Sequence, residues 1–482
     1  MTAVPAEQRE TADYLTALTG DGVVETHISA VFLGREDAYK LKKAVDFGFL
    51  DFTTLAERER LVKFENTLNA PNAPGLYLGA LPLTRGPDGA LRLGGEGPAL
   101  EWVLHMKRLP PEAFLTGPMN PALLDPMADA VVALHEAAPH RPGDGRLLRV
   151  IMGNREAALS AGLPEARVQA WAEAALVMEG KLAPFLSQRA AEGFLRRCHG
   201  DLHLGNICLI NGGPTPFDAL EFDEDLATVD VGYDLAFLLM DLDLRQSRAM
   251  ANRVMNRYLA LTGDVMLLRA LPLWLSLRAL IRAHVAARSG EDGAALLAAA
   301  GHYLIPTPPR LVAIGGLQGT GKSYLARLLA PDLGAAPGAV ILRSDEIRKR
   351  RANVAPQTRL PPESYTMGES AAVFAEIKRL ASIALADGHA VVADAVFQRA
   401  AERDALEGLH QDFTGLWLEA PLDILRERIA NRVGDASDAT AQVLAATAAR
   451  DAGEITWTRL NAAEGTEAAA RKRLDLPATV SP

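Results

Sequence analysis

The chain has 482 residues, of which 49% are hydrophobic and 23% are charged. This length and balance predict two or three folded domains and exclude a disordered chain. The net charge of −10 argues against nucleic acid as the main partner, although residues 348–351 form one basic run. Two cysteines, Cys198 and Cys208, are too few for a disulfide framework and favour a reducing compartment.

The sequence carries no pattern typical of export or membrane insertion. Residues 1–10 lack a basic segment followed by an apolar one. The apolar segment 271–285 is short and is interrupted by Arg278 and Arg282, so it cannot span a bilayer. We therefore expect a cytoplasmic protein.

Apolar alternation in the first part predicts a small sheet-rich lobe followed by a larger helical lobe. The helical part is interrupted by one further pair of strands. The predicted strands are 27–33, 38–43, 76–83, 101–106, 207–211 and 216–221.

Three lysines lie on the second of these strands. Because side chains alternate along a strand, Lys40 and Lys42 share one face and Lys43 lies on the other. Protein kinases have a strand lysine that binds the nucleotide phosphates and pairs with a glutamate of the following helix. The resemblance to them implies that Lys40 or Lys42 reaches the phosphates and that a carboxylate on the next helix orients that lysine, with Glu65 preferred over Glu57 and Glu59. The alternative is an ordinary solvated basic strand.

Residues 199–206, His-Gly-Asp-Leu-His-Leu-Gly-Asn, place Asp201 and Asn206 five positions apart in a tight loop. That spacing is the one in the catalytic loop of protein kinases. There the aspartate accepts the proton of the attacking hydroxyl and the asparagine binds Mg²⁺. The alternative is a polar turn whose side chains cap helices. The segment resembles the aminoglycoside phosphotransferase and choline kinase branch of the protein kinase-like fold, and this resemblance implies a bilobal α+β domain.

That resemblance implies a second metal ligand about a dozen residues downstream. The family usually has Ile-Asp-x-Glu there, whereas this chain has Phe-Asp-Ala-Leu-Glu-Phe-Asp at 217–223. Asp218, Glu221 and Asp223 therefore remain alternative ligands. Asp230 and Asp234 match family acids that brace the catalytic loop, with helix capping as the alternative.

Residues 302–310 contain three prolines and are the best candidate for a linker. We place a domain boundary there, with domains at 1–305 and 306–482. The second domain alternates apolar strands with helical segments, which predicts a doubly wound parallel α/β sheet. Its predicted strands are 311–315, 339–343, 390–394 and 414–419.

Residues 316–323, Gly-Leu-Gln-Gly-Thr-Gly-Lys-Ser, match the phosphate-binding loop pattern G-x-x-x-x-G-K-[ST] between a strand and a helix. The glycines allow backbone N–H groups to face the phosphates. Lys322 would neutralise phosphate oxygens, and Ser323 would bind Mg²⁺. The predicted nucleotide-binding residues here are Gly316, Gly319, Thr320, Gly321, Lys322 and Ser323.

Two further segments supply acids at strand ends, where α/β sheets place their chemistry. Ser344-Asp345-Glu-Ile-Arg348 resembles the Ser-Asp-x-x-Arg element of small P-loop kinases related to polynucleotide kinase and zeta toxin. In that group the aspartate activates the acceptor hydroxyl and the arginine holds a substrate anion. Asp394 ends the strand at 390–394 and would bind Mg²⁺ or orient the acceptor. Helix capping is the alternative for both acids.

Arg428 and Arg432 are four residues apart on a predicted helix, followed by the loop 434–439. They share a helical face and resemble the lid arginines of small kinases, which close on the transferred phosphate. A solvated charged face is the alternative.

Together these motifs predict an ATP- and Mg²⁺-dependent phosphotransferase with two nucleotide sites. The chain resembles bacterial proteins that fuse an aminoglycoside phosphotransferase-like domain to a P-loop kinase. We expect small-molecule hydroxyl acceptors such as sugars, amino sugars or nucleosides. The alternatives are one active kinase with a regulatory partner domain, a nucleotide-gated interaction protein, and a 5′-hydroxyl polynucleotide kinase.

Overall fold

The computed structural model describes residues 3–20, 22–46, 50–432 and 436–478. Its strands are β1 Val23–Glu25, β2 Ser29–Leu33, β3 Asp37–Lys42, β4 Tyr77–Arg85, β5 Leu91–Leu93, β6 Ala99–Lys107, β7 Leu195–Arg197, β8 Ile207–Ile210, β9 Gly213–Pro216, β10 Thr228–Asp230, β11 Leu311–Gly316, β12 Val340–Arg343, β13 Val391–Asp394, β14 Phe413–Glu419 and β15 Thr458–Asn461.

The α-helices are α1 Arg9–Thr19, α2 Leu55–Asn69, α3 Leu124–Ala137, α4 Leu148–Ser160, α5 Glu165–Ala191, α6 Glu224–Ala227, α7 Val231–Arg245, α8 Arg248–Thr262, α9 Leu271–Arg288, α10 Ala294–Tyr303, α11 Lys322–Leu329, α12 Ser344–Arg351, α13 Met367–Ala386, α14 Ala400–Glu407, α15 Leu422–Ala430, α16 Ala441–Ala448 and α17 Thr466–Arg473. Among the described residues, no helix combines the length and the apolar character needed to cross a membrane.

The chain forms two compact units, and each of them combines segments that are separated in the sequence. One comprises 1–145, 187–235 and 288–291, and the other comprises 146–186, 236–287 and 292–482. The boundary near residue 306 stays a prediction.

The first unit contains the predicted sheet-rich lobe. Six antiparallel strands lie in the order β1-β2-β3-β6-β4-β5, with Val31 opposite Lys40 and Leu41 opposite Val103. Buried side chains of β2, β3 and β6 pack with Leu15 of α1. The short strand β1 was not predicted, and β2 begins two residues later than the predicted 27–33.

The predicted strand at 216–221 is wrong. Strands β8 and β9 form an antiparallel hairpin in which Ile210 pairs with Gly213. The two residues between them, Asn211 and Gly212, both have positive φ, at 52° and 79°. Asn-Gly is a strong signal for a two-residue hairpin turn, because both residues tolerate that conformation. The second strand therefore ends at Pro216, and residues 217–221 follow without regular secondary structure.

The second unit contains a five-stranded parallel sheet in the order β12-β13-β11-β14-β15. All residues of β11 are buried, as expected of a central strand covered on both faces. The doubly wound α/β prediction is confirmed. Strand β15 was not predicted, because its residues at this edge are mostly polar and only Leu460 is buried.

Candidate active sites

The lysines of β3 lie where the alternation predicts. Lys40 Nζ is 2.7 Å from Glu65 and 2.6 Å from Asp218 Oδ1, and Lys42 Nζ is 2.6 Å from Glu65 and also bonds Glu221. Lys43 follows the last residue of β3, which lies one residue before the predicted strand end, and pairs with Glu25 at 2.8 Å instead. Burial alone lowers the pKa of Lys40, but the carboxylates of Asp218 and Glu65 outweigh it and raise that pKa well above its usual value. Both lysines of the shared face are therefore cations at neutral pH.

Glu65 on α2 orients both lysines. Its side chain is fully buried, and each carboxylate oxygen accepts from a different lysine. The alternatives Glu57 and Glu59 face outward, where they pair with Arg60 and Lys63 at 2.6 Å. The preference for Glu65 thus agrees with the geometry.

The catalytic-loop residues Asp201 and Asn206 are in contact. The Asn206 Nδ2 group donates to the backbone carbonyl and to the Oδ2 atom of Asp201, both at 2.9 Å. The Asp201 side chain is 42% exposed, so an acceptor molecule can reach it. Neither side chain caps a helix in these two bonds.

Asp234, at the start of α7, holds this loop in place. It is fully buried and accepts from the backbone N–H groups of His199 at 3.1 Å and Gly200 at 2.9 Å. Asp230 accepts from Arg189 at 2.7 and 2.9 Å. Of these two acids, Asp234 is therefore the one that bonds the backbone of the catalytic loop.

The structure separates the three alternative acids. The N–H of Phe217 donates to the Asn206 carbonyl at 2.9 Å, which places the adjacent Asp218 beside the catalytic loop. Asp218 has a φ of +60°, and its N–H donates to the Tyr77 hydroxyl at 2.9 Å. Glu221 is buried against Lys42. Asp223 accepts from the N–H of Leu226 and caps α6, so it takes no part in the site.

We call this cluster the N-terminal site, formed by Lys40, Lys42, Glu65, Asp201, Asn206, Asp218 and Glu221. It combines ammonium groups with amide and carboxylate oxygens. Such oxygens are the ligands that Mg²⁺ prefers, so the residues present fit this ion. An accessible aspartate completes the set of groups that phosphoryl transfer requires.

The phosphate-binding loop has the expected backbone. Gly316 has a φ of 135°, and a Cβ there would lie 2.4 Å from the Leu418 carbonyl oxygen. Gly319 has a φ of 84°, and a Cβ there would lie 2.8 Å from the Leu425 carbonyl oxygen. No other residue type fits either position without strain. Gly321, also with positive φ, precedes the first residue of α11, so this helix N-terminus faces the loop.

Side chains of the loop bond within it. Lys322 Nζ donates to the carbonyls of Gly316 and Leu317, both at 2.9 Å. The Thr320 hydroxyl donates to the Leu317 carbonyl at 2.8 Å, so Thr320 stabilises the loop rather than facing the cavity. Burial lowers the pKa of Lys322, while Asp394 and Asp345 oppose that effect. An anionic phosphate would also oppose the effect of burial and favour the charged lysine.

The proposed metal ligands of the second unit meet directly. The Ser323 hydroxyl donates to Asp394 Oδ2 at 2.5 Å, and Asp394 is only 2% exposed. Strand β13, which ends at Asp394, lies beside β11, so the sheet brings the acid to the loop. The next helix begins only at Ala400, which removes the capping alternative. A hydroxyl and a carboxylate again fit Mg²⁺.

A cavity of about 610 Å³ lies over this loop, and we call its walls the P-loop site. Asp345 lines it from the first turn of α12, whose N-cap is Arg343 without any capping side-chain bond. Arg348 lines it too, and its guanidinium lies 4.8 Å from the Tyr365 ring. Arg348 Nη1 donates to the Ser364 carbonyl at 2.7 Å, whereas its buried Nε has no partner among the described residues.

The lid arginines require a correction. Helix α15 ends at Ala430, so Arg432 lies beyond it and the two arginines do not share a helical face. Arg428 donates to the Ala462 carbonyl at 2.9 Å. Both nevertheless line the same cavity. Of the predicted loop 434–439, residues 434 and 435 lie outside the described residues, and 437–439 line the cavity.

Sequence reasoning missed two groups in the P-loop site. Arg343, 7% exposed, ends β12 with its guanidinium 3.7 Å from Asp394 and 4.0 Å from Asp345. The sequence signal that could have identified Arg343 is an arginine at the end of an otherwise apolar strand.

Asp438 accepts from Lys349 Nζ at 2.5 Å, from the Tyr365 hydroxyl at 2.5 Å and from the Leu360 N–H at 2.9 Å. No local pattern marks that contact, because its partners are 73 to 89 residues away.

Two family profiles match the chain. The "Phosphotransferase enzyme family" matches residues 87–271, and an "AAA domain" matches residues 311–451. Among solved structures, a choline kinase from Streptococcus pneumoniae is 14% identical with a TM-score of 0.39, and covers 62% of this chain and 99% of its own. A sugar kinase from Janibacter sp. is 19% identical with a TM-score of 0.29, and covers 35% of this chain and 96% of its own.

Relatives also match over nearly the whole length. The "Uncharacterized protein Rv2004c" of Mycobacterium tuberculosis is 30% identical over 476 residues, which is 92% of either chain. A protein of Mycobacterium bovis matches to the same extent. The resemblances to a phosphotransferase and to a P-loop kinase are thereby confirmed. The chain belongs to the family of these mycobacterial proteins, and it is an ATP-dependent kinase that carries a phosphotransferase family domain and a P-loop kinase domain.

Proposed function

We propose that both sites transfer the γ-phosphate of ATP to a hydroxyl group of a small molecule such as a sugar, an amino sugar or a nucleoside. The proposal rests on the observation that the two sites contain the same set of chemical groups. Each site brings together a lysine, a pair of oxygen ligands for Mg²⁺ and an accessible aspartate. Phosphoryl transfer depends mainly on positioning and on neutralising charge, which these groups supply.

At the N-terminal site, Lys40 and Lys42 bind phosphate oxygens under the control of Glu65. Asn206 and Asp218 hold Mg²⁺, with Glu221 as an alternative ligand. Asp201 accepts the proton of the acceptor hydroxyl. The bond from Asn206 to Asp201 supports these roles, because it fixes the base beside a metal ligand.

At the P-loop site, Lys322, Arg428 and Arg432 bind the triphosphate, and Ser323 and Asp394 hold Mg²⁺. When bound, the metal ion neutralises charge on the β- and γ-phosphates. Asp345 accepts the proton of the acceptor. Arg348 binds an anionic group of that acceptor, which its unpartnered Nε atom supports.

We place the domains at 1–305 and 306–482 and the reaction in the cytoplasm, where ATP is abundant. Cys198 and Cys208 are both buried thiols, which suits a reducing compartment.

One observation favours a second candidate function, in which only the P-loop site is active. Lys40 and Lys42 already form ion pairs with three carboxylates. The segment 217–223 also departs from the family's Ile-Asp-x-Glu pattern. The N-terminal domain would then bind nucleotide and regulate its partner.

Transfer of label from γ-labelled ATP into a small-molecule cell extract tests both functions. The wild type is compared with Asp201→Asn and Lys322→Ala, and products are identified by mass. Asp223→Asn and Lys63→Ala are matched controls, because they alter the same residue types outside either site. Loss of a different product in each variant supports two active sites. Loss only in Lys322→Ala supports the second candidate, and no labelled product in the wild type contradicts both.

A further inference from the structure

Strand β12 is an edge of the parallel sheet, and its outer side faces helix α8 of the same unit. Helix α8, residues 248–262, lies outside the matched P-loop profile at 311–451. An edge strand presents N–H and C=O groups without strand partners. Asparagine side chains of α8 bond these groups.

The amide of Asn256 replaces a neighbouring strand. Its Oδ1 accepts from the Ile341 N–H at 2.6 Å, and its Nδ2 donates to the Ala339 carbonyl at 3.1 Å. Asn252, 2% exposed, donates to the same carbonyl at 3.0 Å. Asn256 Nδ2 also bonds Asn252, so the two amides support each other.

The approach of α8 is close at both ends of the contact. Gly338 has a φ of 116°, and a Cβ there would lie 2.9 Å from Asn252 Nδ2. Beyond β12, Arg350 donates to the Ala260 carbonyl at 3.2 Å in the last turn of α8. A Cβ on Gly263, which ends α8, would lie 2.9 Å from Arg350 Nε. Helix α8 therefore bonds the chain on both sides of β12, at Ala339 just before the strand and at Arg350 after it.

The strand that α8 bonds ends in the P-loop site. Two residues after Ile341 the strand ends at Arg343, whose guanidinium lies 3.7 Å from Asp394 and 3.8 Å from Glu346. Asp345 follows in the first turn of α12. A shift of β12 along its edge would therefore move the proposed base relative to the phosphate-binding loop.

We propose that Asn256, supported by Asn252, is a positioning residue of the P-loop site. It fixes the register of β12 and thereby the places of Arg343 and Asp345. The loop itself follows β11, which is separated from β12 by β13. The amide pair therefore controls phosphoryl transfer and not nucleotide binding. This inference rests on the proposed function of the P-loop site.

The test uses Asn256→Ala in the full chain. Alanine is the better helix former, so the substitution does not weaken α8 itself. The matched control is Asn154→Ala on α4, which removes an amide that bonds Val150 and His284 instead. One readout is hydrogen exchange of the amides at 340–345. The other is transfer of label from γ-labelled ATP into the product that Lys322→Ala abolishes in the extract assay, measured as kcat and KM for ATP.

We expect exchange at 340–345 to become about tenfold faster in Asn256→Ala, as for the loss of two hydrogen bonds. The Lys322-dependent kcat should fall about tenfold, because small misplacements of catalytic groups are costly. The KM for ATP should stay within about twofold, and Asn154→Ala should change neither readout.

Unchanged exchange would show that the amide does not hold the strand and would overturn the proposal. Faster exchange with an unchanged kcat would show that the Asn256 amide has only a structural role. A raised KM for ATP at constant kcat would show that the amide affects nucleotide binding instead. Both results reject a positioning role. Absence of Lys322-dependent turnover in the wild type refutes the proposed function and this role with it, while the exchange rates still report whether the amide holds β12.

Discussion

Lys40 Nζ lies 2.6 Å from Asp218 Oδ1, and this pair joins the sheet of the first unit to the segment after β9. Lys40 also bonds Glu65, which is fully buried, whereas the Asp218 side chain is 38% exposed. Separating a buried pair costs more than separating an exposed one. If phosphates and Mg²⁺ bind as proposed, we therefore expect the contact between Lys40 and Asp218 to open rather than the one between Lys40 and Glu65.

This relationship predicts different effects for the two candidate metal ligands. Asp218→Asn should leave the unfolding temperature nearly unchanged and reduce the Asp201-dependent product by about 100-fold or more. Glu221→Gln should instead lower the free energy of unfolding by about 2 kcal/mol, because it weakens the charged bond of the buried Lys42. Urea unfolding and product quantification measure the two effects. Equal loss of product in both variants, with both folded, would contradict the assignment of Asp218.

Ser323 should be replaceable by threonine but not by alanine. The hydroxyl that bonds Asp394 is the group proposed to hold Mg²⁺. Ser323→Ala should raise the Mg²⁺ concentration needed for half-maximal Lys322-dependent turnover about tenfold, a typical cost of losing one charge-assisted bond. Ser323→Thr keeps the hydroxyl and should behave as the wild type. A Mg²⁺ titration of turnover measures this effect, with Ser382→Ala on the exposed face of α13 as the control. Equal curves for the alanine and threonine variants of Ser323 would contradict the role.

His389 should make stability depend on pH. It is 1% exposed, its ring bonds the Leu268 carbonyl, and its Nδ1 has no partner among the described residues. Burial lowers the pKa of His389 from 6.5 to about 4. The unfolded chain therefore binds the proton first, so this contribution is complete above pH 6.5 and is lost as pH falls toward 4.

The corresponding variant is His389→Gln, which cannot titrate. Relative to this variant, the wild type should lose roughly 3 kcal/mol of unfolding free energy between pH 7 and pH 4. Chemical denaturation of both proteins across that range measures the difference. Parallel pH profiles would show that His389 does not carry the effect.

Asp438 should order the acceptor side of the P-loop site. Its carboxylate holds Lys349, Tyr365 and the Leu360 N–H together. Asp438→Asn keeps the shape but loses the charge, so the segment 358–366 should be cleaved several-fold faster in limited proteolysis, as expected where local stability falls. Asp404→Asn, at an exposed position of α14, is the control. Equal cleavage rates in all three proteins would contradict this role.

Local patterns were sufficient for the phosphate-binding loop and the catalytic loop. In both, the residues proposed to carry the chemistry lie within eight positions of each other, so spacing alone was enough to select them. The Asn-Gly turn at 211–212 was also local, and recognising it would have placed β9 correctly. Arg432 was misplaced because helix ends are poorly marked in sequence when no cap is present.

Other parts of the sites depend on long-range packing. The alternatives Asp218, Glu221 and Asp223 have the same chemistry and differ only in what surrounds them after folding. Likewise, nothing in the sequence of α8 indicates that Asn256 bonds a strand 83 to 85 residues later. Such contacts arise from topology, which a single sequence does not reveal.

The amide of Asn256 also has a consequence for solubility. A bare parallel edge is a template on which other chains can add strands. With α8 in place, the N–H of Ile341 and the carbonyl of Ala339 are already bonded. A fragment that begins at residue 306 would lack this cover and expose β12. Such a fragment should therefore self-associate through that edge, and a fragment intended for study should begin before Ser247, which caps α8.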